Sequence, residues 1–155
     1  MADLTHIDVS GRSRMVDIGG KRLLRRTAKA EGQLRISKST SAKILEVGLP
    51  KGNPFEVARL AGIQAAKQTS QLIPLCHNLN LDFVDVEIEL QESAVQIRST
   101  VSCRWATGVE MEALTAVAVA GLTLYDMCKA VDPEMALGDI RLIEKLKEEL
   151  PESTR

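Results

Sequence analysis

Three patterns in this chain predict an α+β fold, a four-stranded antiparallel sheet with helices on one face. Residues 27–36, 83–90 and 95–103 alternate apolar and polar side chains, the mark of half-buried strands. Residues 113–125 run without a charge and are rich in alanine and leucine, as a core helix would be. Between the first alternating stretch and the second lie cap residues and a broad apolar helical face.

The N-terminal residues 1–21 are polar, hold Gly11, Gly19 and Gly20, and show little periodicity. They read as a flexible arm carrying His6, Met15 and Asp17. Residues 22–155 read as one domain. In the first strand Ala28, Ala30, Leu34 and Ile36 face one way with Gly32 in register, and Thr27, Lys29, Glu31, Gln33 and Arg35 face the other. Arg25 and Arg26 stand at its entrance. Ser37 to Val47 reads as a short helix stopped by Gly48, and Leu49-Pro50-Lys51-Gly52 as a loop. Asn53 then caps a second helix, Pro54 takes its first position and Glu56 sits three past the cap; the helix runs to about residue 70. Leu72 to Asn78 contains Pro74 and reads as a buried loop or the lead-in to a strand.

Two strands joined by Gln91 to Ala94 follow as a hairpin with one wet face. Asp85, Glu87 and Glu89 on its first strand and Arg98 on its second predict cross-strand charge pairs. The uncharged helix comes next, flanked by Glu110 and Glu112 ahead and Asp126 and Lys129 behind. It is too short to span a membrane, which takes ~20 apolar residues, so it is expected to be buried on every face. In the last stretch, residues 137–143 read as a final strand and residues 144–150 as more helix-like. The order strand, helices, strand, strand, helix, strand is the split βαβ, or ferredoxin-like, arrangement.

Composition narrows the function. At 155 residues with 26% charged and 45% apolar side chains, one globular domain is expected. A net charge of -1 and 3% aromatics argue against nucleic-acid or membrane partners. The N-terminus lacks the apolar core of a signal peptide. Three widely spaced cysteines, Cys76, Cys103 and Cys128, fit neither a disulfide framework nor a zinc pattern, and suit the cytoplasm.

Among candidate functional residues, Asp126 and Lys129 share a helical face. They read either as a surface ion pair or as an acid/base pair, burial moving the lysine toward neutrality. Lys51 precedes a helix N-terminus, where exposed amides attract anions such as phosphate. His77 ends an apolar run and reads as a hydrogen-bonded core residue or as a catalyst. If the helix is continuous, Glu112 and Asp126 lie roughly 21 Å apart. One small-molecule site in one chain could hardly use both.

Several long motifs in order carry a resemblance. They are Lys51-Gly52, Ala61-Gly62-Ile63-Gln64-Ala65-Ala66-Lys67, Leu72-Ile73-Pro74-Leu75-Cys76-His77, the run Thr107-Gly108-Val109-Glu110-Met111-Glu112-Ala113-Leu114-Thr115-Ala116, and Tyr125-Asp126-Met127-Cys128-Lys129-Ala130-Val131. With Leu4-Thr5-His6 and Met15-Val16-Asp17 in the arm, the chain resembles the MoaC family of molybdenum cofactor biosynthesis, the cyclic pyranopterin monophosphate synthases. The resemblance implies a lyase that takes 3',8-cyclo-7,8-dihydroguanosine 5'-triphosphate to cyclic pyranopterin monophosphate and diphosphate. It also implies a ferredoxin-like fold and a homohexamer, a trimer of dimers with active sites at the dimer interface. It implies no redox cofactor and no resident metal, and leaves assistance by a divalent ion open.

Carried over residue by residue, the resemblance makes Asp126 and Lys129 the acid/base pair and Lys51 a further catalytic or phosphate-binding amine. His77 is catalytic and, with Leu75, Cys76, Met111 and Glu112, lines the substrate pocket. Glu110, Arg26 and Lys67 are nearby polar contacts. Departures from the family pattern stand at Ala106, Asn53, Asn78, Asn80 and the tail from Lys145 to Arg155. The other function class is a non-catalytic ligand-sensing domain, since this fold hosts many such proteins. In an oligomeric enzyme, Glu112 of one subunit is expected nearer to Asp126 and Lys129 of a neighbour than to its own.

Overall fold

The computed structural model of the chain describes residues 7, 10–46 and 53–151, without the side chains of 45 and 46. In order come strand β1 (Leu24–Arg35), helices α1 (Lys38–Glu46), α2 (Pro54–Lys67) and α3 (Thr69–Leu72), strands β2 (Phe83–Leu90) and β3 (Ala94–Trp105), helix α4 (Glu110–Cys128) and strand β4 (Ala136–Glu148). The strands form one sheet in the order β2-β3-β1-β4. Every neighbouring pair is antiparallel. β3 therefore splits β1 from β2, and β1 splits β3 from β4, which is the predicted arrangement.

The alternation in β1 does what it promised. Ala28, Ala30 and Leu34 are buried on the helix side together with Val95, Ile97, Val101 and Cys103 of β3. Each fully buried Leu, Ile or Val here contributes roughly 1.5–3 kcal/mol. Ser99 lies in the same register and stays compatible with the core because its hydroxyl donates to the Ala113 carbonyl of α4 at 2.8 Å. α4 rests on β1, β3 and β4, and α2 rests on β2 and on α4. The two helices approach closely at Gly62. A Cβ there would stand 2.9 Å from the Ala116 carbonyl oxygen and 3.1 Å from Val86, so only glycine fits between backbone and sheet.

Local signals set the helix starts. Asn53 Oδ1 accepts from the amides of Phe55 and Glu56, at 3.0 and 3.4 Å, and Pro54 opens α2. Ser37 Oγ accepts from the Thr40 amide at 3.2 Å at the start of α1. Its own amide donates to Asp132 Oδ2 at 2.7 Å. The amide bonds to Asp132, that from Ser37 foremost, hold this carboxyl below its usual range. Asp132 thereby ties the turn after α4 to the start of α1, a link the sequence did not announce.

The structure corrects several expectations. Residues 144–150 are not helix-like: β4 continues through Glu148, paired with β1 as far as Arg25. Backbone pairing overrides the helix propensity of Glu, Lys and Leu there, and the ion pair of Lys29 with Glu144 at 2.5 Å reinforces it. Arg25 and Arg26 lie within β1, not ahead of it. The second helix ends at Lys67, where Gln68 breaks it before α3. Residues 73–77 form a half-buried loop rather than a buried one. Finally, α4 is not buried on every face. Leu122 is 59% exposed and Met111 38%, because the sheet lies on one side of the helix, α2 covers only part of the rest, and alanine-rich composition hides the asymmetry. The expectation that this helix is too short to span a membrane also changes: the helix extends beyond the uncharged run to Glu110–Cys128, long and apolar enough by length and composition, with 56% of its most apolar stretch buried inside the fold.

The sheet face away from the helices is lined with ion pairs. Arg98 reaches Glu31 at 3.9 Å and Glu89 at 3.6 Å, and Arg141 reaches Glu31 at 2.5 Å. Cross-strand pairing of charge was expected for Arg98. Asp85 of edge strand β2 has Arg59 of α2 at 3.8 Å.

Candidate active site

α4 carries candidate residues at both ends, and the two ends differ. At the front, the Thr107–Val109 turn leads into the helix and places Glu110 and Glu112 in its first turn, where free amides favour negative charge. Glu112 is only 4% exposed. Its burial pushes the carboxyl up to about 7; a hydrogen bond with its own backbone works against this and the Glu110 charge adds to it. Cys103 of β3 and Cys76 of the α3–β2 loop both sense Glu112. Burial first, and then the Glu112 charge, pushes the Cys103 thiol up to about 11 and raises that of Cys76. Both thiols are free and protonated near neutral pH.

Arg26 is paired in register with Cys103. Its Nη2 donates to the Ala106 carbonyl at 3.4 Å, while its Nε is buried without a hydrogen-bond partner among the described residues. A buried guanidinium N–H left unpaired is costly and suits an incoming anion. Ala106 thus takes part through its backbone. The Glu110 carboxylate folds back over Gly108, into the space a Cβ at that position would fill. There it pairs with Lys145 of β4.

At the other end of α4, Lys129 Nζ lies 2.7 Å from Asp126 Oδ1, both side chains 58% exposed. The hydrogen bond to Asp126, then its charge, raises the ammonium's pKa. The expectation of a lysine moved toward neutrality by burial is therefore reversed within the single chain, because there is no burial to do it.

His77 is half-buried and its Nε2 lies 2.8 Å from the Val16 carbonyl oxygen of the arm. Leu75 and Cys76 precede it in the same half-buried loop. Lys67 is exposed in the last turn of α2 and borders an open cavity of about 510 Å³ with Ile63, Asn80, Asp82 and Phe83. Met111 points outward from the first turn of α4. Lys51 lies outside the described residues.

The structure thus gathers Arg26, Glu110, Glu112 and Cys76 at the front of α4, and leaves Asp126 and Lys129 at the far end. Sequence reasoning missed Lys145, because its segment read as helix-like; the alternation Glu144-Lys145-Leu146-Lys147-Glu148 was the available signal. Cys103 stood in the sequence as one of three widely spaced cysteines. Among the described residues, no group of three His, Cys, Asp or Glu side chains is placed to hold a metal ion.

The model of the MoaC family matches residues 15–147. The chain is 52% identical over 145 residues to the cyclic pyranopterin monophosphate synthase of Chloroflexus aurantiacus, covering 92% of this chain and 89% of that one. It is 52% identical over 147 residues to the synthase of Roseiflexus sp., covering 94% and 93%. To the synthase of Parvibaculum lavamentivorans it is 53% identical over 144 residues, covering 92% and 90%. The chain belongs to the MoaC family.

Proposed function

We propose that this member of the MoaC family is a cyclic pyranopterin monophosphate synthase. It is a lyase that converts 3',8-cyclo-7,8-dihydroguanosine 5'-triphosphate to cyclic pyranopterin monophosphate and diphosphate in molybdenum cofactor biosynthesis. The match to synthases across nearly the whole chain carries the reading.

The chemistry of the site supports it. A triphosphate needs cations, and Arg26, whose Nε has no hydrogen-bond partner among the described residues, is suited to receive one of its oxygens. Lys51, Lys67 and Lys145 are the amines we assign beside it. Rebuilding the ring system needs proton transfers at carbon and nitrogen. A Glu112 carboxyl near 7 can both give and take a proton at neutral pH. We assign Asp126 and Lys129 as the acid/base pair. The ammonium, held protonated by Asp126, enters as an acid or as the cation on departing diphosphate oxygens. Leu75, Cys76, His77 and Met111 line the pocket in this reading, with Glu110 nearby. The reaction is read as needing no redox cofactor.

The reading includes a homohexamer, a trimer of dimers with the active site at the dimer interface, in the cytoplasm. Two observations support the shared site. The halves lie at opposite ends of one continuous helix, fourteen residues or roughly 21 Å apart. The outer surface of the helical layer exposes Leu60, Met111 and Leu122, large apolar side chains suited to an interface. Pure protein incubated with the cyclised dihydro-GTP should release diphosphate. No diphosphate from well-folded hexamer, with or without magnesium, would end the lyase reading.

A further inference from the structure

We infer that the backbone carbonyl of Val16 sets the tautomer of His77, placing the ring proton on Nε2 and leaving Nδ1 as the neutral ring's only acceptor. The geometry is direct. A carbonyl oxygen can only accept a hydrogen bond. With His77 Nε2 at 2.8 Å from the Val16 oxygen, the nitrogen must carry the hydrogen. Any proton that the neutral imidazole takes up is then received at Nδ1. Val16 sits in the polar arm, 61 residues from His77 in sequence, so a segment outside the sheet decides which atom of the ring acts as base. A second nitrogen fixed by a neighbour's oxygen is the usual way a histidine's reactive nitrogen is chosen. Val16 is a positioning residue here, and it acts through its backbone, so no side-chain replacement at 16 removes the contact.

The functional side of this inference rests on His77 serving the proposed reaction; the tautomer itself does not. Two measurements on the full chain separate them. The chain has two histidines, so long-range ¹H–¹⁵N correlation spectra of the labelled protein at alkaline pH, assigned with His6→Gln, report the His77 tautomer alone. A proton on Nε2 is expected. A proton on Nδ1, or averaging as in free imidazole, overturns the inference.

Glutamine at 77 places an amide donor near the Nε2 position, and asparagine near Nδ1. His77→Gln should therefore keep the arm docked, with trypsin cutting at Arg12, Arg14 and Lys21 at the wild-type rate. His77→Asn should be cut about fivefold faster, as loss of one ordinary hydrogen bond gives. Equal cutting of the two variants counts against the bond. Absent diphosphate release with the Nε2 tautomer in place would end the lyase reading and leave this assignment standing.

Discussion

The two ends of α4 are made of similar residues and behave differently. At the front, Glu112 is buried, its carboxyl raised to about 7. At the back, Asp126 and Lys129 form an exposed ion pair whose lysine is raised instead. Both ends hold carboxylates; what differs is what lies over them. The front is packed against β1, β3, the α3–β2 loop and β4, while the side chains of Asp126 and Lys129 stay open to solvent beside buried Leu124 and Cys128. Desolvation raises a carboxyl, and a paired opposite charge raises an ammonium. The same helix therefore offers a group poised to exchange protons and a group held as a cation.

The largest effect should come from the back. Lys129→Ala or Asp126→Asn is expected to lower kcat about 10²–10⁴-fold and leave the unfolding midpoint unchanged, since the pair is exposed. An equal loss of stability and activity would assign the pair a structural role and remove the contrast between the ends.

At the front, stability and activity should move in opposite directions. The Glu112 carboxyl rises from 4.5 unfolded to about 7 folded. The folded state thus binds the proton more tightly. Stability is highest where Glu112 is protonated and falls as pH rises from 4.5 to 7. Glu112→Gln should remove that fall and raise stability at pH 8 by up to about 3 kcal/mol, while lowering kcat about 10²-fold. Denaturant unfolding at pH 5 and pH 8 is the check; a variant whose profile parallels the wild type would show that Glu112 is not buried in solution. Mixing Glu112→Gln with Lys129→Ala chains should restore turnover if each site takes one end from each subunit. No restoration in verified mixed oligomers would place both ends in separate roles.

The smallest effect concerns how the front is built. Gly108→Ala should push the Glu110 carboxylate off its seat and free Lys145, with the fold intact because only a flexible side chain must move. Activity should fall several-fold, and the pH profile should shift to lower pH as the Glu110 charge leaves Glu112. Combining it with Glu110→Gln should add nothing further. Additive losses would mean that Gly108 serves the backbone and not Glu110.

Much of the fold was legible. β1, β2 and β3 are half-buried strands whose period of two is printed in the residues, and Asn53-Pro54 announces α2. The end of β4 was not legible, because Glu144 to Leu150 has helix-forming residues and its pairing partner lies more than a hundred residues away. The exposed outer side of α4 was hidden for a different reason. Residues 113–125 carry no charge on any side, so the buried alanines and the exposed Leu122 read alike. Of the candidate site, the residue identities came from motifs, but their grouping did not. Nothing local in the sequence says that Arg26, Cys103, Glu112 and Lys145 meet.

The sequence by itself determined the strand and helix order, the split βαβ topology, the candidate residues and the family they resemble, because periodicity, caps and motifs are local and survive in one dimension. Only the tertiary structure decided the ionisation of the two ends of α4, the pairing of Lys145 with Glu110, and the hydrogen bond from His77 to Val16. Each depends on burial or on contact between residues far apart in the chain. A carboxylate's neighbours in sequence do not reveal how much water the fold will leave it.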